Sequence, residues 1–136
     1  MLDRATRRPM TALIAEDDAG QSALGAMMLR EFDLEVDEVR SAEEAIECLC
    51  NRSGQVTLLI ADIHLSGAMD GIALAHRVSV LWPGVSVIVT SGRPGMCPSD
   101  LPARATYIPK PWRALDIVAV AERASRADHT LRAVRL

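Results

Sequence analysis

Aromatic side chains are scarce in this sequence, with one Phe, one Tyr and two Trp in 136 residues. A surface that stacks nucleic-acid bases needs several aromatic faces, so that class of binding is not expected. Cysteine is also rare, three in all and odd in number. Cys48 and Cys50 fall two apart on a predicted helix and point different ways, while Cys97 stands alone. Neither a disulfide framework nor a zinc site follows from that spacing, and reduced, buried thiols in a cytoplasmic protein are expected instead. Long apolar runs are missing too. None approaches the roughly 20 residues that cross a bilayer. The opening Met1 to Pro9 is basic without the apolar stretch of a secretion signal, so no membrane partner is expected. Positive charge is short where it would matter. The net charge is −3, but residues 1–10 and 126–136 each carry three Arg against one Asp, which leaves −7 on the body between them. An acidic body suits a cation and excludes the basic face by which proteins grip phosphate backbones.

What the chain does have is one domain's worth of core, at 49% hydrophobic and 24% charged residues, distributed in short blocks. Residues 1–10 read as a polar arm and 127–136 as a tail, with the domain at 11–126. Thr11 to Ala15 is a first apolar run, followed at once by Glu16, Asp17 and Asp18. Gln21 to Phe32 carries Leu24, Met28 and Phe32 at helical spacing, and Asp18 at its start reads as a cap favoured by the helix dipole. Leu34 to Val39 alternates as a strand. Ser41-Ala42-Glu43-Glu44 has the capping-box pattern, and a helix is expected from there to Asn51. Thr57 to Ala61 is a short continuous apolar run of the kind buried on both faces of a parallel sheet. Asp62 follows it directly. Ile72 to Trp82 reads as a helix with Ile72, Ala75 and Ser79 or Val80 on one side, stopped by Pro83-Gly84. Val85 to Val89 is a β-branched run ending in Thr90-Ser91-Gly92. Three prolines between Arg93 and Pro102 exclude an ordinary helix there and leave room for one short turn beginning at Pro98. Thr106 to Ile108 is the last strand, leading into Pro109-Lys110-Pro111-Trp112, and Arg113 to Arg126 the last helix.

Such alternation predicts an α/β fold with a parallel sheet and helices on both faces. The expected form is flavodoxin-like and doubly wound, five strands in the order 2-1-3-4-5, with the fourth helix short or missing. Ligands in such sheets bind outside the carboxyl ends of the strands, at the point where the winding reverses. The first and third strands meet there, which brings Glu16, Asp17 and Asp62 together. Three crowded carboxylates call for a divalent cation, and an all-oxygen donor set suits Mg²⁺. The fourth strand delivers the Thr90 hydroxyl to the same edge and the fifth delivers the Lys110 ammonium. Carboxylate, metal, hydroxyl and ammonium at one point make a phosphoryl site, since carboxylates form aspartyl phosphates and the cations spread the transferring charge.

The residues that carry this chemistry also carry a resemblance. Ile14 to Asp18, Leu59 to Asp62 with Met69-Asp70-Gly71, Val89 to Gly92, and Tyr107-Ile108-Pro109-Lys110-Pro111, in that order, resemble the receiver domain of two-component response regulators over residues 11–126. The resemblance implies phosphoryl transfer to Asp62 from a phosphohistidine on a histidine kinase or histidine phosphotransfer protein. It implies Mg²⁺ held by Asp17, Asp62 and the backbone carbonyl of His64, with Glu16 acting largely through water. Thr90 and Lys110 would grip the phosphoryl oxygens, Thr90 and Tyr107 would act as the switch pair, and the Lys110-Pro111 bond is expected to be cis. The His64 side chain would lie over the site, with His76 and His129 on the surface. The loop after Asp62 is one residue longer than usual and lacks its usual proline, an insertion Gly67 can absorb. With only about ten residues beyond the last helix, output is expected through a separate downstream protein. Leu115, Ile117, Val118 and Val120 offer that helix more apolar surface than one buried face needs, which admits a homodimer. Two rival classes stand beside this phospho-switch. One is a pseudo-receiver that binds without being phosphorylated, although no site residue is lost. The other is an Mg²⁺-dependent aspartyl-phosphate phosphohydrolase, which would carry a second Asp where this chain has His64.

Overall fold

The computed structural model describes residues 10–52, 54–95 and 98–123. Its elements are β1 (Thr11–Ala15), α1 (Ala19–Arg30), β2 (Glu35–Val39), α2 (Ala42–Asn51), β3 (Leu58–Asp62), α3 (Gly71–Leu81), β4 (Ser86–Ser91) and β5 (Thr106–Pro109). A last helix, α4, covers 114–123. Residues 1–9 of the predicted arm, the tail, the end of the last helix, Cys97 and His129 lie outside the described residues. All strand pairs are parallel and the order is β2-β1-β3-β4-β5, the flavodoxin-like, doubly wound arrangement.

Strand alternation divides the core into two layers. Ala12, Ile14, Ile60 and Ile88 face α1 and α4, where Ala26, Leu29, Ala114 and Ile117 cover them. Leu13, Leu59, Ala61, Val87 and Val89 face α2 and α3, against Ala45, Leu49, Leu74 and Val78. Thr57 is exposed and lies just outside β3, so the buried strand begins one residue later than its apolar run suggests and ends on Asp62 itself. Each of the first three helices starts on a side chain that accepts from the first turn: Asp18 from Gln21 N–H, Ser41 from Glu44 N–H, and Asp70 from Ala73 N–H. The return half of the capping box lands one residue early, because Glu44 Oε2 accepts from Arg40 N–H at 2.9 Å.

Packing selects the inward face of two helices. The buried stripe of α1 is Ser22, Gly25, Ala26 and Leu29, while Leu24 and Phe32 are 54% and 46% exposed. Small residues bring α1 close to the sheet, and the ring of Trp112 fills the space beside Gly25, where a Cβ would stand 3.0 Å from it. In α3 the stripe is Gly71, Leu74, Ala75 and Val78, and Val80 points to solvent at 79% exposure. The thiols differ from expectation, for Cys50 is exposed and Cys48 only partly covered.

Between β4 and β5 the described residues form turns and bends without a helix, and no turn of helix starts at Pro98. Pro94, Pro98 and Pro102 remove the donors that a helix needs. The crossover is held instead by Leu101 and Ala105, which pack on the α2–α3 side. His76 Nε2 lies 2.6 Å from the Asp100 carbonyl oxygen.

The start of α3 is tied to the end of β3. Gly71 N–H donates to Ile63 O at 3.0 Å, and a Cβ on Gly71 would fall 2.0 Å from the Asp62 carbonyl oxygen and 2.9 Å from Ile63 Cα. Only backbone movement relieves such a clash. Gly71→Ala is therefore expected to cost about 3 kcal/mol of stability or more in urea unfolding. A loss under about 1 kcal/mol would show that the 62–71 loop yields freely.

Candidate functional site

Three strand ends build the site. Glu16 follows β1, Asp62 closes β3 and Lys110 follows β5. Glu16 and Asp62 are 5% and 7% exposed. The Lys110 ammonium donates to Asp62 Oδ2 at 2.5 Å, to Gln21 Oε1 at 2.6 Å, and to Glu16 Oε1. Each carboxylate spends its other oxygen on a main-chain N–H: Asp62 Oδ1 accepts from His64 N at 2.7 Å, and Glu16 Oε2 accepts from Asp18 N at 3.2 Å.

This arrangement sets the two acids apart electrostatically. Burial raises the Glu16 pKa above its ordinary value; the bonds from Lys110 and Asp18 oppose the rise, and the Asp62 charge adds to it. Burial pushes Asp62 the same way, but the Lys110 bond, the His64 N–H and the ammonium charge outweigh it and hold Asp62 below the ordinary carboxylate range. Lys110 is raised: burial opposes its charge, and the hydrogen bonds to Asp62 and Glu16 outweigh that. Asp62 is thus held ionised beside a protonated amine, the state in which a carboxylate is a nucleophile.

The structure brings Glu16, Asp62 and Lys110 together. Asp17 is exposed beside them and makes no hydrogen bond or ion pair among the described residues. No group of three or more His, Cys, Asp or Glu side chains is arranged to hold a metal ion among those residues. The donor chemistry nonetheless fits Mg²⁺. Two buried carboxylates face one ammonium, which leaves negative charge in excess, and Mg²⁺ takes one or two carboxylates while keeping waters.

Thr90 is the cross-strand partner of Asp62. It is 3% exposed, and its Oγ1 is buried without a hydrogen-bond partner among the described residues. A buried hydroxyl in that state costs free energy unless something arrives to use it. Tyr107 is half-buried, pairs with Val89 and packs on the α2–α3 side, so strand alternation sends it to the opposite face of the sheet from Thr90. His64 follows Asp62 by two residues, and its Nε2 is buried and also without a partner among the described residues. His76 is half-exposed. Gly67 has φ +108°, the left-handed turn that lets the longer loop close. The Lys110-Pro111 bond is cis.

Gln21 is the site residue that sequence reasoning missed. Its only sequence signal is its place three residues after the capping Asp18, on the turn that faces the strand ends. From the site a cleft of about 530 Å³ runs between α1 and the segment after β5, past Leu24, Gly25, Met28, Pro111 and Trp112.

A family model described as the response regulator receiver domain matches residues 12–122. Solved structures similar to the chain include a response regulator receiver domain protein from Clostridium thermocellum, 18% identical, with a TM-score of 0.76 over 90% of this chain and 98% of that one. A response regulator receiver protein from Sinorhizobium medicae WSM419 is 21% identical, with a TM-score of 0.77 over 88% of this chain and 97% of that one. NtrX from Brucella abortus is 26% identical, with a TM-score of 0.79 over 94% of this chain and 30% of NtrX.

Removing the ammonium strands two buried acids. Lys110→Met is expected to lose about 3 kcal/mol of stability at neutral pH in urea unfolding without Mg²⁺. The sign with pH follows from Asp62. Its depressed pKa contributes stability above the unfolded carboxylate value and loses it as pH falls through the folded one. The gap between Lys110→Met and wild type should therefore narrow on acidification. A gap that stays constant or widens would show that Lys110 does not stabilise the carboxylates.

Proposed function

The chain belongs to the response regulator receiver domain family, and from that premise we propose that it is a phosphorylation-dependent switch or phosphate relay with Asp62 as phosphoacceptor. The observation that carries this reading is the buried Thr90 Oγ1, without a partner among the described residues, set across the strand pair from an ionised Asp62.

In this mechanism an Asp62 carboxylate oxygen attacks the phosphorus of a phosphohistidine on a histidine kinase or histidine phosphotransfer protein. The new O–P bond forms as the P–N bond breaks, and its electron pair returns to the donor imidazole. Lys110 steadies one equatorial oxygen and the Thr90 hydroxyl donates to another. Asp17, Asp62 and the His64 carbonyl would hold Mg²⁺, with Glu16 acting through water, and the metal supplies charge neutralisation at the transferring group. The chain promotes only its own phosphorylation and dephosphorylation and turns over no separate substrate. Such donors place it in the cytoplasm.

The acyl phosphate brings close to two negative charges beside Thr90. Drawing the Thr90 hydroxyl toward them shifts the end of β4, and the half-buried Tyr107, on the other face of the neighbouring β5, would respond through that strand pair. A downstream protein that reads the β4–β5 end would sense that change. A second copy of the chain is a further candidate, because Leu115 on α4 is 59% exposed.

Intact mass after incubation with Mg²⁺ and a small acyl-phosphate donor tests the assignment. One added phosphoryl group is expected on wild type and none on Asp62→Asn. An adduct that survives Asp62→Asn would remove Asp62 from the role. Steady release of phosphate would point to a phosphohydrolase, and complete inertness to a binding module that is never phosphorylated.

A further inference from the structure

An ammonium group has three N–H donors and no acceptor, and in Lys110 all three are committed, to Asp62, Glu16 and Gln21. A phosphoryl oxygen arriving at Asp62 therefore meets no free ammonium proton. One acceptor must let go first, while both carboxylates are still charged. The Asp62 and Glu16 side chains are 9% and 6% exposed, and ion–ion hydrogen bonds out of water are the strong ones. Gln21 is a neutral amide on an exposed residue, and once released it is solvated at once. It is the partner that yields.

We propose that Gln21 is a positioning residue for phosphoryl transfer: it parks the Lys110 ammonium in the resting site, and the strength of its hold sets how readily Asp62 is phosphorylated. The inference rests on the phosphoacceptor reading above. The geometry suits the role. Gln21 N–H is fixed by Asp18 Oδ1 at 2.9 Å, so the helix cap sets the backbone from which the amide reaches the end of β5. A stronger hold deepens the resting state, and no hold leaves a proton ready for the incoming oxygen.

The test uses the full chain, Mg²⁺ and a small acyl-phosphate donor, because a protein donor would touch α1 and confuse docking with chemistry. Gln21→Leu keeps the bulk and the helix propensity and removes the acceptor. It should raise the phosphorylation rate about threefold to tenfold, the range expected for losing one exposed hydrogen bond to a charged group. Gln21→Glu, a charged acceptor, should lower it. The second readout is the affinity for beryllofluoride, a phosphoryl mimic, followed by tryptophan fluorescence. Affinity should rise in Gln21→Leu and be indifferent to the same change in a Lys110→Met background, as a role acting through the lysine requires. A rate in Gln21→Leu equal to or below wild type overturns the inference and leaves Asp62 standing. A Gln21→Leu effect on affinity that persists without Lys110 does the same. A wild type that takes no phosphoryl group overturns the phosphoacceptor reading and this inference with it.

Discussion

Two carboxylates held nearly out of water at the ends of neighbouring strands have to be compensated, and in this molecule one ammonium does it. The requirement reaches far into the fold. Glu16 and Asp62 are adjacent because β1 and β3 pair directly, whereas Lys110 comes from β5, with β4 in between. Its stem must cross the end of β4. Gly92 lies beneath that crossing, where even a Cβ would stand 3.7 Å from Lys110 Cδ, an ordinary contact. Without the parallel order the charges would not meet, and without the lysine each acid would bear a desolvation cost with no opposite charge to offset it. The same ammonium that stabilises the resting site is also the group a phosphoryl oxygen needs. Folding and function therefore compete for the same few donors, and among the described residues the buried Thr90 hydroxyl is a donor that folding leaves unused.

The legible parts of the fold were those that physical chemistry makes local. Strands buried on both faces must be continuous apolar runs, so β1, β3 and β4 stood out with the acids and the hydroxyl at their ends, as did the short last strand that leads into Lys110, and with them the sheet order. Caps were equally plain, since Asp18 and Ser41 act within a few residues of themselves. Helix faces were not. A four-residue apolar spacing such as Leu24, Met28 and Phe32 identifies a helix but does not say which side turns inward. In α1 the sheet selected Ser22, Gly25 and Ala26, because close approach needs small residues and Trp112 needed the room. The apolar excess of α1 consequently lines the cleft beside the site.

The limits at the site have the same origin. That Asp62 and Lys110 share an edge follows from topology, which the residue pattern encodes. That Gln21, and not Asp17, joins them is decided by the path of two long side chains over a few ångströms, which no spacing rule expresses. The close seat of α3 on the Asp62–Ile63 peptide was likewise invisible, since a glycine after Asp70 reads as any turn glycine. It becomes informative only when the atoms that would meet its missing side chain are known.

The crossover from β4 to β5 contains three prolines and no helix among its described residues, so no long element steers β5 into place. β5 has four residues, and its alignment rests on four ladder partners, Ile88 with Thr106 through Ser91 with Pro109. Such a short edge strand works like a vernier. A slip of one place would carry Lys110 about 3.3 Å along the strand direction and turn its side chain to the other face of the sheet. The crossover is anchored where Leu101 and Ala105 meet the core, whereas the span from Thr106 to Lys110 tolerates no inserted or deleted residue, because the position of one charge is measured out along it.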